Sequence, residues 1–438
     1  MKNIQKIIIL IITISFLSCN STRNITDEIE KSDIAKYENI FKDLEKYLTK
    51  ENGKLWHHQL YGSLLFVNQD NRTIYANEKD TQDILTKNGE IYTGVLPNEI
   101  NIANTAFDWN GKRWTMVKLP LPIDYNERLN LLTHELFHRI QPEIGFANLF
   151  QNSCDHLDKI DGRLYLKLEL EALKMALVTD NEIEEQEHIK NALLFRAYRY
   201  QLFPNAKENE NLLELNEGLA EYTGTILSDR NNQDLKTHYI QAIERLYENP
   251  TFVRSFAYRT IPVYGYYMKQ KDETWNLNIS EKMNLTDYIS DFFNISVPVN
   301  LEDSIFQIRE RYNYVQINDY EIKRDDKQKE IIAELDKIFQ EKPILVIPFQ
   351  NMNISFNPGN LIPYRDLGTV YPYLRITDDW GILTAEKGAL VDKNWGNVIV
   401  SEPKKITDKI IEGDGWKLEL NKDWQLTKIK ENYALKKK

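Results

Sequence analysis

The period of the apolar residues changes twice along this chain, and that limits its fold more than any single motif. Between about residues 60 and 120 they come in short runs rich in β-branched and aromatic side chains: SLLFV, TIYAN, EIYTGVL and RWTMVKL. Polar turns such as Asn68-Gln69-Asp70-Asn71 separate them, and Asn110-Gly111 between TAFDW and KRWTMV is a hairpin signal. From Asp124 the spacing becomes helical. Asp124 with Glu127 reads as a capping box, and Pro142 stops that helix near Gln141. Further helices are expected at about 163–179, 181–200, 210–229, 232–248 and 264–270, with helical runs near 301–312 and 325–340. ILVIPF, TVYPYLRIT, GILTAE and NVIVSEP return to strands, and GWKLEL, WQLTKI and YALKK predict a closing meander of three strands. An amphipathic helix from about Ile34 to Leu48 precedes the first strand. The expectation is an α+β fold: an N-terminal mixed β region (60–120) and a mainly helical region (124–340) together spanning 37–340, then a small β domain over 341–438.

The first residues, MKNIQKIIILIITISFLSCN, place Lys2 and Lys6 before a short apolar run from Ile7 to Leu17. The run is too short to span a bilayer comfortably, and it ends at Ser18-Cys19. This resembles a bacterial lipoprotein signal. The resemblance implies removal of residues 1–18, a lipid on Cys19, a tether over 19–36, and an exported protein held in the cell envelope through that lipid. Mass spectrometry of the mature N-terminus tests it; an unmodified end elsewhere would reject it. Cys154 is then the only other cysteine, which excludes a disulfide framework and makes it a small buried residue. A net charge of −11 argues against a nucleic-acid partner, because a phosphate backbone requires a basic surface. A monomer is expected.

The sequence LLTHELFHRIQ, from Leu131 to Gln141, carries the chemistry. Positions four apart share one face of a helix, so His134 and His138 point the same way. Leu129, Leu132, Leu136 and Ile140 form a stripe on roughly the opposite side. Two imidazoles on one face suit a zinc ion, which also requires a third protein ligand. The candidate is ELNEGLAEYTG, from Glu214 to Gly224. Glu210, Glu214, Glu217 and Glu221 form one acidic stripe at helical spacing, which a cation, a histidine partner or water would relieve. Gly218, Ala220 and Gly224 let another backbone approach closely. The long interval between His138 and Glu217 also contains LKLELEAL, so Glu169 or Glu171 remains open as the ligand, or as a partner of Arg196 or Arg199.

The pairing of His-Glu-Leu-Phe-His with Asn-Glu-Gly-Leu-Ala-Glu-Tyr resembles the gluzincin metallopeptidases of the aminopeptidase-N-like and thermolysin-like families. The resemblance covers the helical core around the two motifs and neither the N-terminal strands nor the β tail. It implies a zincin-like catalytic region holding one Zn2+ per chain through His134, His138 and Glu217. Glu135 would act as general base and Glu221 would orient a zinc histidine, while Tyr222 matches a tyrosine of the motif. SFAYRTIPVYGYY then offers Tyr258 and Tyr264 to stabilise an oxyanion, with His238 a weaker candidate. The implied activity is hydrolysis of a peptide or protein substrate. The Gly-x-Met-Glu-Asn amine-binding motif is missing, so endopeptidase and aminopeptidase action both stay open. NIANTAFDWNGKRWTMV offers a strand that could bind a substrate backbone. The rival reading is a catalytically silent, peptidase-like lipoprotein that binds a protein or polymer.

Overall fold

The structure, a computed structural model, describes residues 32–147, 149 and 153–438. Cys19, the expected signal segment and most of the expected tether lie outside the described residues. The chain forms an α+β protein with an N-terminal β region, a helical middle and a C-terminal β domain. It divides into two compact units: one holds Asn104–Leu121 and the chain up to Leu96, and the other holds Pro97–Ala103 and Pro122–Lys438.

In the first unit, a helical run over 32–51 (α1) places Ile34, Tyr37, Phe41, Leu44 and Leu48 on one buried face. Phe41 stacks on Phe66 at 4.5 Å, which seats the helix on a sheet. The sheet has β1 (Leu64–Val67), β2 (Thr73–Ala76), β3 (Thr86–Asn88), β4 (Ile91–Val95), β5 (Thr105–Trp109) and β6 (Lys112–Lys118), in the order β3-β4-β2-β1-β6-β5. β1 is fully buried and pairs parallel with β6. The expected turn joins β5 to β6. Asn110 (φ 47) and Gly111 (φ 76) are both left-handed, as a two-residue type I′ hairpin requires. β5 is an outer strand of this sheet.

The second unit's first helix, α2 (Tyr125–Ile140), is capped by the Asp124 side chain on Glu127 N–H, which is half of the expected capping box; the Glu127 carboxylate accepts from Arg230 at 2.6 Å instead. α3 (Ile160–Val178), α4 (Glu182–Leu202) and α5 (Ala206–Leu213) follow. A single π-turn over Glu214–Gly218 then leads into α6 (Leu219–Ile226). The helix expected over 210–229 is therefore broken into three pieces. α7 (Asn232–Tyr247), α8 (Ala257–Lys271), α9 (Leu285–Phe292), α10 (Leu301–Ile308) and α11 (Tyr314–Phe339) complete the helical part. α8 starts well before the expected residue 264, with Pro262 inside it. Proline has no N–H for the Tyr258 carbonyl one turn back, and the Arg259 guanidinium donates to that oxygen instead, at 2.8 Å.

Arg196 and Arg199 of α4 are fully buried and tie these helices together. Arg196 donates to Glu169 of α3 (2.8 Å) and to both oxygens of Glu214 (2.8 and 3.1 Å). Arg199 donates to Glu169 (2.9 Å) and to both oxygens of Glu210 (2.6 and 2.8 Å), and His156 reaches Glu210 at 2.7 Å. Buried charges persist only when partnered in this way.

The strands from Ile344 to Lys437 make one seven-stranded and one six-stranded sheet. Leu345, Ile347, Val398 and Val400 from the first sheet share a core with Leu374, Ile376, Leu383 and Leu418 from the second. This is a β-sandwich. The terminal part of α11 covers the other face of the larger sheet, where Phe339 packs with Tyr364, Val370 and Leu390. The expected three-strand meander does not form. Trp416–Leu420 pairs within the six-stranded sheet, whereas Trp424–Ile429 and Asn432–Lys437 form a hairpin in the seven-stranded one. Alternation correctly sets Trp416, Leu418, Trp424 and Leu435 facing inward. It carries no information on which of two sheets each strand joins, because both present the same apolar face to one core.

Candidate metal centre

His134 and His138 sit one turn apart on α2, and the π-turn brings Glu217 across from them. Their ligand atoms all lie within 4.8 Å of one another. The two Nε2 atoms are 3.2 Å apart, and Glu217 Oε2 is 3.7 Å from that of His134 and 3.4 Å from that of His138. With ligand bonds of about 2.0–2.2 Å, two ligands of one tetrahedral ion stand roughly 3.3–3.6 Å apart. Among the described residues this is the one such grouping of three histidine, cysteine or carboxylate donors.

Each donor is oriented from behind. His134 Nδ1 meets Glu221 Oε2 at 2.8 Å, and His138 Nδ1 meets Gln141 Oε1 at 2.7 Å. Both Nε2 lone pairs are thereby directed toward the shared point. Glu221 also accepts from Asn130 at 3.4 Å and faces Arg259 at 3.9 Å. Tyr258 of α8 stacks on the His134 ring (5.5 Å, 8°) and donates its hydroxyl to Glu217 Oε2 at 2.5 Å. Arg254 stands 3.9 Å from Glu217 Oε1. Gly224 lets α6 lie against α2: a Cβ there would meet the Asn130 carbonyl at 2.7 Å and His134 Cβ at 3.2 Å. Gly218 does the same for α8, where a Cβ would meet Ile261 at 2.8 Å.

Glu135 is buried, and its Oε2 has no hydrogen-bond partner among the described residues. Burial holds its carboxyl above the ordinary value, against the pull of His134 and His138. Burial alone would lower His134, but Glu217 and Glu221 outweigh it and raise the imidazole to about 10. Glu217 shows the converse: burial pushes it up, and His138 and His134 hold it well below the usual carboxylate range. This negative field favours positive charge between the imidazoles, whether protons or a divalent cation.

The acidic stripe divides at the π-turn. Glu210 and Glu214 face the arginines of α4, while Glu217 and Glu221 face the histidines of α2. Glu169 and Glu171 are not alternatives to Glu217. Glu169 is held by Arg196 and Arg199, and Glu171 accepts from Tyr247 (2.9 Å) and Lys174 (3.2 Å). Tyr264 also lies elsewhere: its hydroxyl donates to Glu169 at 3.1 Å, inside the arginine cluster. His238 faces Glu127 at 3.3 Å, and Tyr222 is a core residue whose hydroxyl accepts from Trp275 at 2.9 Å. Cys154 is buried and free. Sequence reasoning missed Gln141, Asn130 and Arg254. Gln141 had a usable signal, since it lies three positions after His138 on the same helical face.

No protein-family model matches the chain, and no match was found among curated proteins or among solved structures. No helix of the described residues is long and apolar enough to cross a membrane.

Proposed function

We propose that this chain is a zinc-dependent peptidase of the gluzincin kind. The observation that carries the reading is the convergence of His134, His138 and Glu217 beside a buried carboxylate, Glu135, with a free oxygen. The donor set fits zinc: two imidazoles and one carboxylate are a hydrolytic set, and each imidazole has its other nitrogen anchored. When bound, zinc supplies Lewis acidity and makes a water acidic enough to ionise near neutral pH.

The protein's own groups do the remaining work. Glu135 accepts the proton of the attacking water and passes it to the leaving amine. Its burial raises its basicity for that task, and its unpaired Oε2 is available for it. The Tyr258 hydroxyl, which donates to Glu217 Oε2 here, would have to turn from that carboxylate to donate its one proton to a developing oxyanion. Tyr264 takes no part. The resemblance of the two motifs directs this chemistry to peptide bonds. The test is hydrolysis of peptides with free and blocked amines by the mature chain, before and after chelation. Cleavage that chelation abolishes and zinc restores supports the reading. Cleavage indifferent to chelation, or none in zinc-loaded protein, contradicts it.

A further inference from the structure

A π-turn is rare, and where one interrupts an α-helix it needs a reason. Here it falls on the residues that present Glu217. Leu219 N–H reaches back five residues to the Glu214 carbonyl. In an α-helix that N–H would serve Leu215, so the Leu215 carbonyl loses its ordinary donor. Gln141, 4% exposed, stands opposite. Its Nε2 donates to the Asn216 carbonyl at 3.0 Å and lies 3.5 Å from the Leu215 carbonyl. Its Oε1 accepts from His138 Nδ1–H at 2.7 Å. The reversed amide would set its N–H against the imidazole N–H and its oxygen against two carbonyls, so both neighbours fix one orientation.

We infer that Gln141 is a positioning residue that couples the two halves of the metal centre, holding the π-turn that presents Glu217 while fixing the orientation and tautomer of His138. His138 comes from α2 and Glu217 from the π-turn, and one amide is hydrogen-bonded to both sides. A shift of the π-turn would move the amide, and the amide would release the imidazole. The coupling accounts for the unusual turn at this point: it directs the Asn216 and Leu215 carbonyls to a residue of the partner helix. Asn130 and Glu221 form the corresponding link behind His134, by a side-chain contact of 3.4 Å. The inference rests on the metal-centre reading above.

The test measures Zn2+ affinity of the full mature chain by competition with a chelator, and the visible absorption of bound Co2+. Gln141→Met keeps the length and removes both hydrogen bonds. Gln141→Glu, in its neutral form, keeps one acceptor and one donor in the same places. The expected result is a loss of about 10–100-fold in affinity for the Met variant, with a weaker and shifted Co2+ band. The Glu variant should bind closer to the parent than to the Met variant. Equal binding by the Met variant and the parent would overturn the proposal and leave Gln141 a packing role only; equal losses in the Met and Glu variants would also overturn it, because the neutral Glu side chain keeps the two hydrogen bonds. A parent that binds no metal would instead overturn the metal-centre reading itself, so the two failures are distinguishable.

Discussion

Glu135→Gln should lower peptide hydrolysis by about 10²–10⁴-fold while zinc stays bound. Glutamine keeps the volume of the buried side chain and removes the charge that accepts a proton. Glu135 is not among the three donors that converge, so the metal should remain. The combination is what distinguishes a general base from a ligand. Loss of metal together with activity would place Glu135 in the coordination sphere. Full activity in the variant would remove the general base from the mechanism and with it the reason for a buried carboxylate with an unpaired oxygen. Steady-state kinetics beside metal analysis of the same sample make both readings.

Arg199→Met should destabilise the helical part by about 3–5 kcal/mol, because it leaves buried carboxylates without their counter-charge. Arg199 is fully buried, with two short bonds to Glu210 and one to Glu169. The pH dependence carries the sign. Burial pushes the Glu210 carboxyl up, but Arg199 outweighs it and holds the group well below its ordinary 4.5. A depressed carboxylate stabilises the fold above its unfolded pKa, and that contribution is lost as pH falls through the folded one. The parent should therefore lose stability below about pH 4.5, whereas the variant, whose Glu210 keeps His156 but not Arg199, should lose less. The difference between the two proteins should be widest near neutral pH and narrow on acidification. Chemical denaturation followed by circular dichroism at several pH values measures it. A difference that stays constant with pH would remove Glu210 from the account.

The elements that a sequence specifies by local rules were legible here. The Asp124 cap, the Asn110-Gly111 hairpin and the α2 helix follow from residues within a few positions of each other, and so does the shared face of His134 and His138. Glu217 was legible through Asn-Glu-Gly. The π-turn was not, because its residues would also suit an α-helix. Partners from distant helices, Arg196 on one side and Gln141 on the other, accompany the wider turn. Without it, four glutamates look like one stripe; with it, they become two pairs with different tasks. Tyr264 was misplaced for a related reason. The expected helix began at about 264, whereas α8 begins at Ala257. Once both tyrosines are on one helix, six positions put them about 120° apart around its axis, so they cannot face the same point. The sheet assignment of the last three strands depended on tertiary pairing, which alternation does not encode.

The most direct test of the central claim is zinc content per chain in the purified protein, beside Glu217→Ala. The account predicts about one zinc in the parent and its loss in the variant, because only two protein ligands then remain. Zinc retained in full by the variant, or no zinc in the parent after reconstitution, would contradict it.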